Sequence, residues 1–225
     1  MRAMPWPKMV RDADTEADEV ELRSITADAV QEKINLLPDK APGEFNMHNR
    51  VTRALPRTAV EALADLFDRG WKGGVFPACW KVGVMAPVPK VARPSSVAEH
   101  RPIALLATLG KLHEGVTHVK LMERVARDAD GVLPHEQHGG LKGKGCAPHL
   151  LSILEKGRRV SKAGGAMIAV FADVSKAFDS LDHETCTYFL HKAGHTPQAL
   201  RWMRSWQEGR SYRVRCGVRR RIGRG

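Results

Sequence analysis

Apolar residues recur at helical spacing along most of the chain and alternate only in short stretches. Thr26 is placed to cap a helix from about Ala27 to Leu36, with Val30 and Ile34 on one face and Pro38 ending it. Val60, Leu63, Ala64 and Phe67 fall at i, i+3, i+4 and i+7. They follow a capping box at Thr58 and Glu61 and precede Gly70, which predicts a second helix closed at that glycine. A longer helix is predicted from Leu109 through Leu112, Val116, Val119, Met122 and Val125. Pro148 sits at the first turn of another that carries Leu150, Leu151 and Leu154. Further helices are expected from about Lys176 and from Thr196-Pro197, the last with Leu200, Met203 and Trp206 inward.

Strand signals are fewer. Val82, Val84 and Ala86 alternate and predict a short strand before Pro87. Ala166-Met167-Ile168-Ala169-Val170-Phe171-Ala172 is an unbroken apolar run, entered from a Gly164-Gly165 turn, and is expected to be a buried strand. Tyr212-Arg213-Val214-Arg215 alternates so that its arginines share one face. Residues 1–24 are polar and without period, and are expected to be a flexible acidic lead-in. The fold class is therefore α+β, mostly helical.

Composition narrows the function. With 43% hydrophobic and 27% charged residues, 225 residues can build a core, which excludes a disordered chain. The apolar run at 166–172 is too short to cross a bilayer, and Met1 to Pro7 lacks the apolar core of a signal peptide. Secretion and membrane spanning are excluded on these grounds. Cys79, Cys146, Cys186 and Cys216 lie 67, 40 and 30 residues apart, as reduced thiols of a cytoplasmic or nuclear protein would. Lysine and arginine outnumber aspartate and glutamate by 36 to 25, for a net charge of +11, which points to a polyanionic partner. The charge is uneven. Six acids lie between Asp12 and Glu21, read as a solvated tail, while nine arginines face only Glu208 in the last 25 residues.

Asp173 is the first candidate for chemistry. It ends the apolar run at 166–172 and precedes a predicted helix, a place where sheets hold metals and phosphates; helix capping is the competing use of such an aspartate. His135, His138, Cys146 and His149 fall within 15 residues, but the spacing is neither H-E-x-x-H nor a paired-cysteine knuckle, so zinc is set aside.

Spacing beyond Asp173 adds a resemblance. Phe171-x-Asp173-x-x-x-Ala177-Phe178-Asp179 is similar to the first catalytic motif of reverse transcriptases. Lys40-Ala41-Pro42-Gly43 resembles the K-A-P-G element of non-LTR (LINE-type) retrotransposon polymerases. Phe76-Pro77-x-x-Trp80-Lys81 with Pro87-Val88-Pro89-Lys90 resembles their F-P-x-x-W-K and P-I-x-K segments. Arg101-Pro102-Ile103-Ala104-Leu105-Leu106 with Gly110-Lys111-Leu112-x-Glu114 resembles R-P-I-S-L-L and G-K-L-x-E. Gln137-x-Gly139 stands at Q-x-G-F-R, and Arg213-Val214-Arg215 at the hairpin before the next palm motif. The elements keep the family's order from about residue 25 to 217.

The resemblance implies a partial right-hand polymerase: a helical extension at 25–75, fingers at 76–165 and an incomplete palm at 166–225. It implies that Asp173 and the Val174 carbonyl bind Mg²⁺, that Phe178 with Ala177 lies at the sugar as a steric gate, and that Lys90 and Arg101 hold the triphosphate. Implied partners are an RNA template, a DNA primer and deoxynucleoside triphosphates. The departures are Gly140-Leu141 for F-R, Gly145-Cys146 for S-T and Glu44-Phe45 for P-D. Gly225 precedes any G-x-P-Q-G or Y-x-D-D segment, so the expectation for this chain alone is little or no polymerase activity. The alternative is a remnant that binds nucleic acid without chemistry.

Overall fold

The structure is a computed structural model that describes residues 19–127, 133–134, 136–141, 143–174, 177 and 180–214. These residues form two compact units, one from 19–126 and 183–214 and the other from 127–182. Compactness thus follows lines other than the expected boundaries after 24, 75 and 165. The helices are α1 (Glu19–Leu22), α2 (Ala27–Asn35), α3 (Asn49–Arg53), α4 (Arg57–Lys72), α5 (Thr108–Arg127), α6 (Cys146–Lys162), α7 (His183–Lys192) and α8 (Pro197–Gln207). The strands are β1 (Val82–Pro89), β2 (His100–Leu105) and β3 (Ser211–Val214), in the order β2-β1-β3. Of the helices, α6 alone belongs to the second unit.

Local signals account for several of these elements. Thr26 accepts from the Ala29 amide at the start of α2, and Val30 and Ile34 are fully buried. Thr196 caps α8 in the same way through the Ala199 amide, and Leu200 and Trp202 are buried. In α5, Leu112 and Val116 turn inward, but Val119 is on the surface and Leu121 takes its place in the core.

Packing overrides other signals. α4 begins at Arg57 behind Pro56, so the Thr58–Glu61 capping box does not form; Glu61 pairs instead with Arg57 at 3.1 Å. The same helix passes Gly70 and ends at Lys72, because Trp71 is wholly buried and its Nε1 donates to the Glu21 carbonyl at 2.7 Å. Gly70 has a packing role within the helix: a Cβ there would lie 3.0 Å from His113 Cε1. β1 continues through Pro87 to Pro89, past the expected stop. The residues from Ala86 to Pro89 pair with β2 alone, and prolines fit such an edge wherever the ladder needs no N–H from them.

The largest buried cluster is aromatic. His113 on α5 stacks between Phe67 of α4 and Phe76, with ring centroids at 4.8 and 5.6 Å and interplanar angles of 3° and 12°. Trp80 and Trp202 meet the same imidazole edge-on at 5.9 and 5.4 Å. Its nitrogens make no well-formed hydrogen bond. Burial pushes its pKa down to about 4, against a weak opposing contact with the Phe67 backbone. The ring is therefore neutral at physiological pH.

The acidic lead-in needs correction at its end. Residues 1–18 lie outside the described residues, but Glu21 is fully buried rather than solvated. Its carboxylate accepts from His195 Nδ1 and, at 2.8 Å, from the Thr196 amide. Ile25 N donates to Asp68 Oδ1 at 2.8 Å, and Lys120 Nζ donates to the Arg23 carbonyl. Residues 21–25 are thus stitched to α4, α5 and the start of α8, because Glu21 meets donors that no other group satisfies there.

In the second unit, the positive φ of Gly164 (76°) turns the chain out of α6. The run at 166–172 then stays extended without becoming a strand, and Ile168, Val170 and Phe171 are 84–90% exposed. A strand is completed by a neighbour's N–H and C=O groups, and no described segment lies beside this one. The helix expected from Lys176 begins at His183; Lys176 itself lies outside the described residues.

The neutral His113 sets a pH dependence. Its folded pKa of about 4 lies below the unfolded value near 6.5, so the unfolded chain binds more protons between these limits. Its contribution to stability is complete above about pH 6.5 and is lost as pH falls towards 4. Urea unfolding of wild type and His113→Phe at several pH values checks this. The stability difference should shift steadily against wild type below pH 6.5; parallel curves from pH 7 to 4 would show that the imidazole is not buried as a neutral base.

Candidate nucleic-acid interface

Five of the sequence elements singled out above converge in the first unit. A Cβ on Gly43 would stand 2.2 Å from the Leu106 carbonyl oxygen, so the K-A-P-G turn and the end of the R-P-I-A-L-L strand touch backbone to backbone. Gly110 opens space for Trp80, whose Cβ would be 2.9 Å from an added methyl. Phe76 N donates to Ser205 Oγ at 2.9 Å. Glu114 Oε1 accepts from Trp206 Nε1 at 2.7 Å and from Arg210 Nη2 at 3.0 Å, while the Arg210 guanidinium lies 4.2 Å from the Trp206 ring centroid. Arg213 on β3 pairs with Glu44 at 2.6 Å. Periodicity gave no warning of this clamp, because its members lie up to 96 residues apart.

β1 and β2 place two cations side by side. Their antiparallel register pairs Val88 with Arg101 and Pro89 with His100, and Lys90 N then donates to the Glu99 carbonyl at 2.7 Å. Lys90 and Arg101 therefore occupy diagonal positions on one face at the tip of the ribbon. Lys90 Nζ donates to the Ala98 carbonyl at 2.8 Å, which fixes its direction and leaves two N–H groups for a ligand. Arg101 is exposed, with no ion pair among the described residues. The nearest acid in the loop, Glu99, is turned into a capping box with Ser95 and Ser96, and those amides hold its carboxyl below the usual range. The tip is thus cationic, with its local carboxylate used internally.

The residues expected to hold the metal and sugar are placed differently. Asp173 and Val174 lie in the second unit on the exposed extended segment, and Ala177 is in a turn whose carbonyl accepts from Ser180 Oγ at 3.1 Å. Phe178 lies outside the described residues, as do His135 and Cys216. No group of three or more His, Cys, Asp or Glu side chains converges among the described residues. One carboxylate and one carbonyl are too few hard donors for a pair of magnesium ions, so this donor set does not fit the implied centre. The described residues assemble a cationic surface. Among them, no helix is long and apolar enough to cross a membrane.

Comparison with known proteins agrees with the motifs. The chain is 29% identical over 195 residues to the RNA-directed DNA polymerase from mobile element jockey of Drosophila melanogaster, covering 86% of this chain and 21% of that protein. It is 27% identical over 178 residues to the probable RNA-directed DNA polymerase from transposon X-element of the same fly, covering 79% and 19%. The corresponding protein from transposon BS is 27% identical over 196 residues, covering 86% and 21%. No family model matches the chain. Along most of its length, then, this chain is a relative of the RNA-directed DNA polymerases of mobile elements. It spans about a fifth of the length of the curated relatives it matches.

The backbone contact at Gly43 yields a direct test. Gly43→Ala should lower stability by roughly 2–3 kcal/mol, because the Leu106 carbonyl cannot step aside as a flexible side chain would. Ala41→Gly in the same turn serves as control. Equal urea midpoints for Gly43→Ala and wild type would show that the turn does not rest on that carbonyl.

Proposed function

We propose that the chain is the fingers and first palm portion of a non-LTR reverse transcriptase, a partial right hand, and that its part in the reaction is to hold nucleotide and template–primer phosphates. In the longer polymerase the reaction is template-directed addition of deoxynucleotides to a primer 3′-hydroxyl. The observation that carries the reading is the juxtaposition of Lys90 and Arg101 at the tip of the β1–β2 ribbon, with Glu99 withdrawn into its own cap. A lysine and an arginine so placed offer point charge and forked donors to neighbouring phosphate oxygens. The net charge of +11 and the similarity to mobile-element polymerases support the same assignment.

A second reading, nucleic-acid binding without chemistry, is favoured for this chain by itself. Asp173 stands apart from any other carboxylate cluster among the described residues, so the chain binds but does not add nucleotides.

Two outcomes are expected. Lys90→Ala and Arg101→Ala should each weaken deoxynucleoside triphosphate binding by about tenfold, the loss of one charge-assisted contact, with unchanged thermal midpoints. Calorimetric titration reads this, and unaltered affinity in both variants would remove the pair from the nucleotide site. In primer extension, the 225-residue chain should add no nucleotide. A chain continued through a Y-x-D-D hairpin should extend the primer and lose that activity on Asp173→Ala. Wild-type extension by that variant would show that Asp173 is not catalytic.

A further inference from the structure

The loop from Pro38 to Asn49 is pinned to the start of α5 by buried polar contacts. Asn49 Nδ2 donates to the Pro38 carbonyl at 2.6 Å, and Thr108 Oγ1 donates to the Met47 carbonyl at 3.0 Å and to Asn49 Oδ1 at 3.2 Å. Gly43 rests on the Leu106 carbonyl just before the helix. This pinning brings Lys40 within electrostatic reach of Lys111, one turn into α5. Neither position stood out as a binding residue from spacing alone, although each lies in one of the sequence elements.

The carboxylates of these two segments are already engaged. Asp39 binds Arg50 and Arg53, Glu44 binds Arg213, and Glu114 binds Arg210. Among the described residues, no ion pair reaches Lys40 or Lys111. Burial pushes the half-buried Lys111 ammonium below its ordinary pKa; Glu114 opposes this and Lys40 adds to it. The fold therefore holds two like charges together through hydrogen bonds made by other groups. Such an arrangement is unfavourable until an anion bridges it. Lys40 is exposed and lines an open surface pocket with Asp39, Ala41, His48, Arg50 and Val51, so a ligand can reach it.

We infer that Lys40 and Lys111 form a phosphate site for the sugar-phosphate backbone of a nucleic-acid strand, in addition to the Lys90–Arg101 pair. The open setting suits a polyanion lying across the surface, whereas a small phosphate ligand is usually enclosed. The inference rests on the proposed function, since it supposes that the chain binds nucleic acid.

The test is fluorescence-anisotropy titration of a labelled RNA–DNA duplex with the full chain, across roughly 0.05 to 0.2 M salt. Wild type, Lys40→Gln/Lys111→Gln and Lys40→Arg/Lys111→Arg are compared, with tripolyphosphate titrated separately. The glutamine pair should bind the duplex about tenfold more weakly at ~0.1 M salt and flatten the log K against log salt slope by about two. Its thermal midpoint should be unchanged or raised, because a like-charge contact is relieved. The arginine pair should restore both affinity and slope. If wild type binds and the glutamine pair matches it in affinity and slope, the inference falls and the proposed function stands. If wild type does not bind the duplex, both fall. If the glutamine pair loses only tripolyphosphate, the site takes small polyphosphates and the assignment to a strand backbone is wrong.

Discussion

The first unit is organised around an imidazole that no water reaches. His113 lies flat between Phe67 and Phe76, with Trp80 and Trp202 edge-on, so five rings from four separate stretches of chain share one contact. A charged imidazole could not occupy that space without a partner, and burial keeps it neutral by moving its pKa to about 4. Gly70 and Gly110 follow from the same packing, since side chains there would strike the His113 ring or Trp80. With α4, α5 and α8 held in this way, the β1–β2 ribbon and the 38–49 loop have a rigid base from which to present cations.

Charge in this unit is divided between internal bracing and an outward surplus. Glu21, Glu44, Asp39, Glu99 and Glu114 all accept hydrogen bonds from nearby donors, so the acids are spent holding loops and helix ends in place. Arg210 shows the same economy: it is bound by Glu114 and laid against the Trp206 ring. Lysines at positions 40, 90 and 111 and Arg101 are left without a carboxylate partner among the described residues. The resulting surface is suited to phosphate, whose affinity comes from many such contacts and weakens as salt rises. In the second unit the exposed segment at 166–174 carries Asp173, and its apolar residues have no covering partner among those described.

Legibility followed the range of the interactions. The caps at Thr26 and Thr196, the inner faces of α2, α4 and α8, and the β1 alternation were all readable, because each depends on neighbours within a few residues. Thr58–Glu61 failed as a cap when Arg57 entered the helix and drew Glu61 to itself. Glu21 looked like part of a solvated acidic run until His195 and Thr196, more than 170 residues away, were seen to bind it. The 166–172 run had the composition of a strand, but composition cannot supply the neighbour that makes one.

The sequence by itself determined the helical periodicity, the basic surplus and the ordered motifs that relate this chain to mobile-element polymerases. It did so because periodicity, net charge and motif order are properties of the chain before it folds. Only the tertiary structure decided which charges cancel and which remain: that Glu99 caps its own loop beside Lys90 and Arg101, and that Lys111 stands near Lys40 with Glu114 already engaged. Those outcomes depend on contacts between distant segments, and a carboxylate can serve either as a brace or as a neutralising partner until packing chooses between them.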